Sequence, residues 1–206
     1  MAERTPVREA SGRPAVCFGA HVQTAGASTI LRLPAEASAE LPSRGQVAVT
    51  GVMNGHAFQA VLEPDGRRGH WLKLDKELLQ ASAVREGDSV AVSVEPTKDW
   101  PEPAMPRDFQ AALADAPDLS EFWTTITPMA RWEWVRWINA TRNPRTRERR
   151  VEVGISKLRS GKRRPCCFDL ASCTDPDLSK NGILVEEIEG PGTGRSSAGQ
   201  ATRQQP

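Results

Sequence analysis

The chain has 206 residues, a formal net charge of +1 and 38% hydrophobic residues, with Gly and Pro at 16 each. That leaves room for one large or two small domains, and the modest apolar fraction favours a smaller ordered part with flexible ends. No apolar run approaches the ~18 residues of a bilayer span, and four unevenly placed cysteines make no disulfide framework in a chain this size.

The opening MAERTPVREASGRP has charge but no apolar stretch, so no signal peptide is read there and a cytoplasmic location is expected. Residues 1–13 and 188–206 are polar and aperiodic, too poor in apolar surface to offset the entropy of ordering, and are expected to be disordered. The lack of Tyr beside abundant Ala, Arg and Pro points to a GC-rich bacterial genome.

From Ala15 the hydrophobic period is two. Val16, Phe18, Ala20 and Val22 share one face of a strand that turns at Ala25-Gly26-Ala27 into a second, Thr29 to Leu33. Pro34 opens a short helix over AEASAEL, and Gly45 restarts a strand that runs to Met53. Asn54-Gly55 is a type I′ hairpin signal, because that turn needs positive φ at both central positions. The return strand, Phe58 to Leu62, ends at Pro64-Asp65-Gly66, a turn sequence. A strand at Trp71 to Leu74, a helix over DKELLQAS and a last strand with Val90, Val92 and Val94 complete the set.

The segments LRLPAEASAELPSRGQVAV (31–49) and LKLDKELLQASAVREGDSVAV (72–92) share one plan, with Leu33 matching Leu74, Gly45 matching Gly87, and Val47-Ala48-Val49 matching Val90-Ala91-Val92. Two such units within one chain are expected to pack on each other. The fold class expected is α+β: a double-split, pseudo-duplicated six-stranded β-barrel at 14–97, followed by three to four helices.

Four prolines crowd PTKDWPEPAMP, so 98–105 reads as a stiff linker. A helical segment, 106–162, follows. One helix covers Arg107 to Ala114. Asp118 with Glu121 makes a capping-box-like start to the next, Thr127-Pro128 opens a third and Asn143-Pro144 a fourth, which Gly161 stops. Residues 163–187 form a cysteine-containing extension.

The pattern from Gly45 to Gly66, GQVAVTGVMNGHAFQAVLEPDG, with HWLKL and the Arg85–Asp88 element after it, resembles a widespread bacterial small-barrel domain of unknown function. MPRDFQAAL, FWTTITPMARWEWVRWI and RTRERRVEVGISKLRSGKR resemble the YdeI/OmpD-associated family, also labelled bacteriocin-protection. Pro106, Ala112, Leu113, Phe122, Trp137, Ile138, Thr146, Arg147, Arg150, Leu158 and Gly161 carry that likeness. The resemblance implies a double-split barrel, related in topology to AbrB-type transcription factors, and no settled catalytic residues. A role in envelope stress or bacteriocin resistance is implied by the label alone.

Three constellations call for weighing. Between Arg142 and Arg164 ten Lys/Arg face only Glu148 and Glu152, a local +8 that leaves −7 on the rest. This is either a patch for an anionic ligand or nucleic acid, with Arg147 and Arg150 on adjoining turns, or a solvated face near a helix C-terminus with one or two arginines paired to acids of the barrel. Trp100, Trp123, Trp132, Trp134 and Trp137 cluster within 38 residues. Trp134 and Trp137 read as core, whereas Trp132 points elsewhere on the same helix, because two residues rotate it by about 200°. Cys166, Cys167 and Cys173 are a candidate zinc set that would need a further ligand, with inert or redox-sensitive thiols as the other readings.

His21, His56 and His70 sit on strands or turn edges. Asp75, Glu77, Glu86 and Asp88 lie where capping accounts for them. No catalytic motif is present, and an enzyme would require a deep pocket holding a carboxylate or His with a shifted pKa. The expected function is a non-enzymatic binding or interaction protein. Its surface lies between barrel and helices, around Trp100, Trp132, Arg147 and Arg150, for an anionic ligand or a protein partner. Nucleic-acid binding by the half-barrels and the basic helix 144–164 is the alternative.

Overall fold

The computed structural model describes residues 14–166 and 169–185. Eight strands and six helices follow in chain order: β1 Val16–Ala25, β2 Ser28–Arg32, α1 Ala35–Glu40, β3 Val47–Met53, β4 His56–Pro64, β5 His70–Leu74, α2 Lys76–Ala81, β6 Ser89–Pro96, α3 Arg107–Ala114, α4 Ser120–Thr125, α5 Pro128–Asn139, α6 Pro144–Arg159, β7 Ser179–Lys180 and β8 Ile183–Leu184.

The first six strands close into an antiparallel barrel in the order β1-β2-β5-β4-β3-β6. The duplication read from the sequence is visible in its register. Leu31 lies opposite Leu72 on β2 and β5, and Gly51 opposite Val94 on β3 and β6. In each case a residue faces its own counterpart in the other repeat, as an internal two-fold axis requires. The alternating Val and Leu side chains of all six strands fill the interior, with Leu31, Val49, Met53, Leu62 and Val94 fully buried.

Turn chemistry holds as expected. Asn54 and Gly55 take φ of 48° and 82°, the I′ hairpin. Asp75 caps α2 by accepting from Leu78 N–H at 2.7 Å, and Asp88 accepts from Arg85 N–H at 2.8 Å. Gly51 has a different role. A Cβ there would stand 2.7 Å from the Ser93 carbonyl oxygen and 2.7 Å from the Phe58 ring. The backbone oxygen cannot step aside, so Gly51→Ala is expected to cost about 1–3 kcal/mol in urea denaturation while leaving the m-value unchanged.

The helical segment has its own core of Phe109, Leu119, Ile126, Trp134, Ile138 and Leu158. Thr127 and Asn143 cap α5 and α6 through the Ala130 and Thr146 amides. Gly161, at φ 78°, ends α6 with Lys162 N–H bonded to Lys157 C=O and Gly161 N–H to Leu158 C=O, a Schellman stop. The capping box expected at Asp118 does not form: a 3₁₀ turn, Pro117–Leu119, occupies that place and α4 starts uncapped at Ser120. Asp118 instead takes a bidentate bond from Arg159 at 2.9 and 3.2 Å.

Two segments are more tightly held than their composition suggests. The Pro-rich stretch is a strap, bonded at Asp99 C=O by Gln59 (2.7 Å), at Pro101 C=O by Trp132 Nε1 (2.6 Å) and at both Glu102 oxygens by Arg131 (2.8 Å). The extension folds back over the barrel. Its Cys173, Leu178 and Leu184 join Ala25, Ile30 and Trp71 in a third buried cluster, closed by the β7–β8 hairpin.

Candidate functional site

Between the barrel, the strap, α5 and the extension lies a cleft of about 350 Å³. Its walls are mainly apolar: Val61 and Trp71 from the barrel, Ala104 from the strap, Trp132 and Val135 from α5, and Pro176 from the extension. The alternation of β4 and β5 that fills the barrel interior sends Val61, Glu63, Trp71 and Lys73 outward, to this side. The volume falls within the range of small-ligand sites, as does the mixture of apolar walls with a few polar groups.

The charged groups form two ion pairs, beside the neutral polar side chains of Asn139 and Thr174. At the base, Arg136 Nε lies 2.7 Å from Glu63 Oε2, with side chains only 6% and 16% exposed, and Gln46 Nε2 donates to Glu63 Oε1 at 2.6 Å. Arg136 also donates to the carbonyls of Ser172 (2.6 Å) and Leu170 (3.4 Å), so it ties α5 to both the barrel and the extension. Burial pushes the Glu63 carboxyl above the usual carboxylate range, and Arg136 and Gln46 pull it back only in part. At the rim, Lys73 Nζ lies 3.4 Å from Asp175 Oδ2, the lysine 55% exposed and the aspartate 21%.

The structure places a surface between barrel and helices, but its residues differ from those singled out in the sequence. Trp132 lines the cleft, while Trp100 is half-buried on the strap outside it. Arg147 is drawn away, bonded to Asp108 (2.5 and 2.9 Å) and to Asn139 Oδ1 (3.0 Å). Arg150 lies on the far side of α5, donating to Trp137 C=O at 2.6 Å with its guanidinium 5.5 Å from the Trp137 ring centre. These two arginines clamp helices together. The acids that pair with Arg147, Arg159 and Arg164 (Asp108, Asp118 and Glu133) belong to the helical segment rather than to the barrel.

Glu63, Lys73, Arg136 and Asp175 carry the cleft, and none belongs to the candidate surface read from the sequence. Helix α5 is covered on most sides, with Glu133, Trp134, Val135, Arg136 and Ile138 all buried, so its arginine needs a buried acid, and only the fold brings Glu63 to it. The cleft meets the description set for an enzyme in one respect, a buried carboxylate with a raised pKa. Its oxygens, however, are already engaged by Arg136 and Gln46.

Cys173 is buried in the apolar third cluster, and burial pushes its thiol up to about 11, away from the thiolate that a metal would need. Cys166 is exposed, and Cys167 lies outside the described residues. No group of three His, Cys, Asp or Glu gathers among the described residues. Cys17 and Cys166 are expected to react with a thiol reagent at pH 8 in the folded chain, and Cys173 only on unfolding; peptide mass mapping of the labelled sites checks this.

Residues 102–161, the last turns of the strap with α3 to α6, match the family described as bacteriocin-protection, YdeI or OmpD-associated. The helical segment is a YdeI/OmpD-associated domain. Residues 18–94, nearly the whole barrel, match a domain of unknown function, DUF1905. The cleft therefore lies where the barrel domain meets the YdeI/OmpD-associated domain: Val61, Glu63, Trp71 and Lys73 come from the first, and Ala104, Trp132, Val135 and Arg136 from the second. No curated protein matches the chain in sequence. No helix among the described residues is long and apolar enough to cross a membrane.

Proposed function

We propose that this protein is a cytosolic, non-enzymatic binding protein whose ligand occupies the cleft between its barrel and its YdeI/OmpD-associated segment. The observation that carries the reading is the cleft itself, apolar on its walls with a fixed ion pair at its base. The ligand class follows from the rim. Glu63 and Arg136 are spent on each other, whereas Lys73 is the accessible charge, and its partner at 3.4 Å is easily exchanged. The ligand is therefore a small apolar or aromatic carboxylate, with its body against Trp71, Trp132 and Val135 and its head at Lys73.

The arginines expected to serve nucleic acid support this reading from the other side. Arg147, Arg150, Arg159 and Arg164 are engaged within the fold. Titration of the full chain with 4-phenylbutyrate, and with the matching alcohol, tests the proposal. The acid is expected to bind at millimolar concentration or better. The alcohol and Lys73→Ala are expected to bind more weakly, and Ala104→Phe, which fills the exposed mouth, not at all. Equal binding by wild type and Ala104→Phe would place the ligand elsewhere and overturn the assignment.

A further inference from the structure

We infer a second ligand site, for an oligophosphate, on the outer face of the basic helix α6, where Arg145, Arg149 and Arg150 ring an open hollow of about 360 Å³ floored by Trp137 and Val153. The starting observation is a difference among arginines. Most of those in the helical segment have an internal partner: Arg131 has Glu102, Arg136 has Glu63, Arg142 has Asp177, Arg147 has Asp108 and Arg159 has Asp118. Arg145 and Arg149 are exposed and have no hydrogen bond or ion pair among the described residues.

Their placement works against the helix. Arg145 sits in the first turn of a 16-residue helix that has no acid there, so a positive charge stands at the positive end of the dipole. Arg149 follows at i+4, where like charges repel. The nearest acids do not relieve this. Glu148 and Glu152 form no ion pair with either arginine among the described residues, and Glu152 lines a separate hollow with Asp115 and Arg159.

The third arginine is already positioned. Trp137 C=O holds Arg150 at 2.6 Å, and the Trp137 ring carries both Arg150 (5.5 Å) and Lys157 (5.4 Å). With both cations against it, that ring offers little face for a base to stack on, and this favours phosphate over nucleobase. A multiply charged anion in the hollow would meet the dipole's positive end and three guanidiniums above an apolar floor, where charge-assisted bonds are stronger than in open water.

The test is calorimetric titration of the full chain with inorganic tripolyphosphate, at low and at moderate ionic strength, beside the double variant Arg145→Gln/Arg149→Gln. Wild type is expected to bind, and more weakly as salt rises. The double variant is expected to lose about tenfold to a hundredfold in affinity while its Tm stays level or rises, because the repulsion has been removed. No binding by wild type overturns the inference, as does equal affinity in the double variant. Binding to a single-stranded oligonucleotide without binding to tripolyphosphate overturns it too, in favour of a nucleic-acid surface. Ala104→Phe leaves this site untouched, so the two ligand assignments stand or fall separately.

Discussion

Arg136→Ala is expected to lower folding stability by about 3–5 kcal/mol at neutral pH, because it strands a buried carboxylate. Glu63 keeps Gln46 but loses the cation at 2.7 Å, and the carbonyls of Leu170 and Ser172 lose their donor. The pH dependence identifies the mechanism. The folded-state pKa of Glu63 already lies above its unfolded value of about 4.5, so the folded state holds the proton more tightly. Its contribution is most favourable below the unfolded value and declines as pH rises through the folded one. Without Arg136 the folded value moves further up, so the variant's deficit is small near pH 4.5 and widens toward neutrality. Urea denaturation across that range measures it. A deficit independent of pH would mean that packing, and not the stranded charge, sets the cost.

Trp71→Ala is the second large effect, at about 3–5 kcal/mol. Trp71 is 2% exposed, and its ring is the central piece of the cluster that holds Ile30, Cys173, Leu178 and Leu184 together. Its indole N–H also donates to Pro64 C=O at 3.2 Å. Removing the ring opens a cavity under the extension and takes away one wall of the cleft. Beyond the stability loss, limited proteolysis is expected to cut within residues 169–185 well before the barrel. If the variant loses stability but the extension stays protected, Leu178 and the β7–β8 hairpin are held by contacts other than the indole.

Why some of this was legible in the sequence and some was not has a physical explanation. The barrel could be read because its signals are local: period-two alternation, Asn54-Gly55, and the pairs Leu33/Leu74 and Gly45/Gly87. The register, with Leu31 opposite Leu72 and Gly51 opposite Val94, is the consequence of that duplication. The caps at Thr127 and Asn143 were legible for the same reason. Asp118 was not, because the 3₁₀ turn that displaces the cap and the arginine that takes the carboxylate, 41 positions away, leave no local pattern.

The candidate site was the least legible part, since it depends on partners far apart in the chain. Glu63 and Arg136 are separated by 73 positions, and neither has a local pattern that points to the other. The sequence showed where charge was dense, along α6. Part of that density, Arg147 and Arg159, holds helices together, while the polar groups of the cleft are sparse and surrounded by apolar residues. The extension was hidden by its three cysteines, which drew attention to metal chemistry. What fixes it is the apolar character of Leu178, Leu184 and Cys173 itself.

The central claim is that the cleft between the barrel and the YdeI/OmpD-associated domain takes a small apolar carboxylate. It is tested most directly by following the six tryptophan indole N–H signals by NMR during titration with 4-phenylbutyrate. Trp71 and Trp132, which line the cleft, are expected to shift together and saturably, while Trp123 and Trp134, in the helical core, do not move. Shifts confined to Trp137 or Trp123, or none at Trp71 and Trp132, would contradict it.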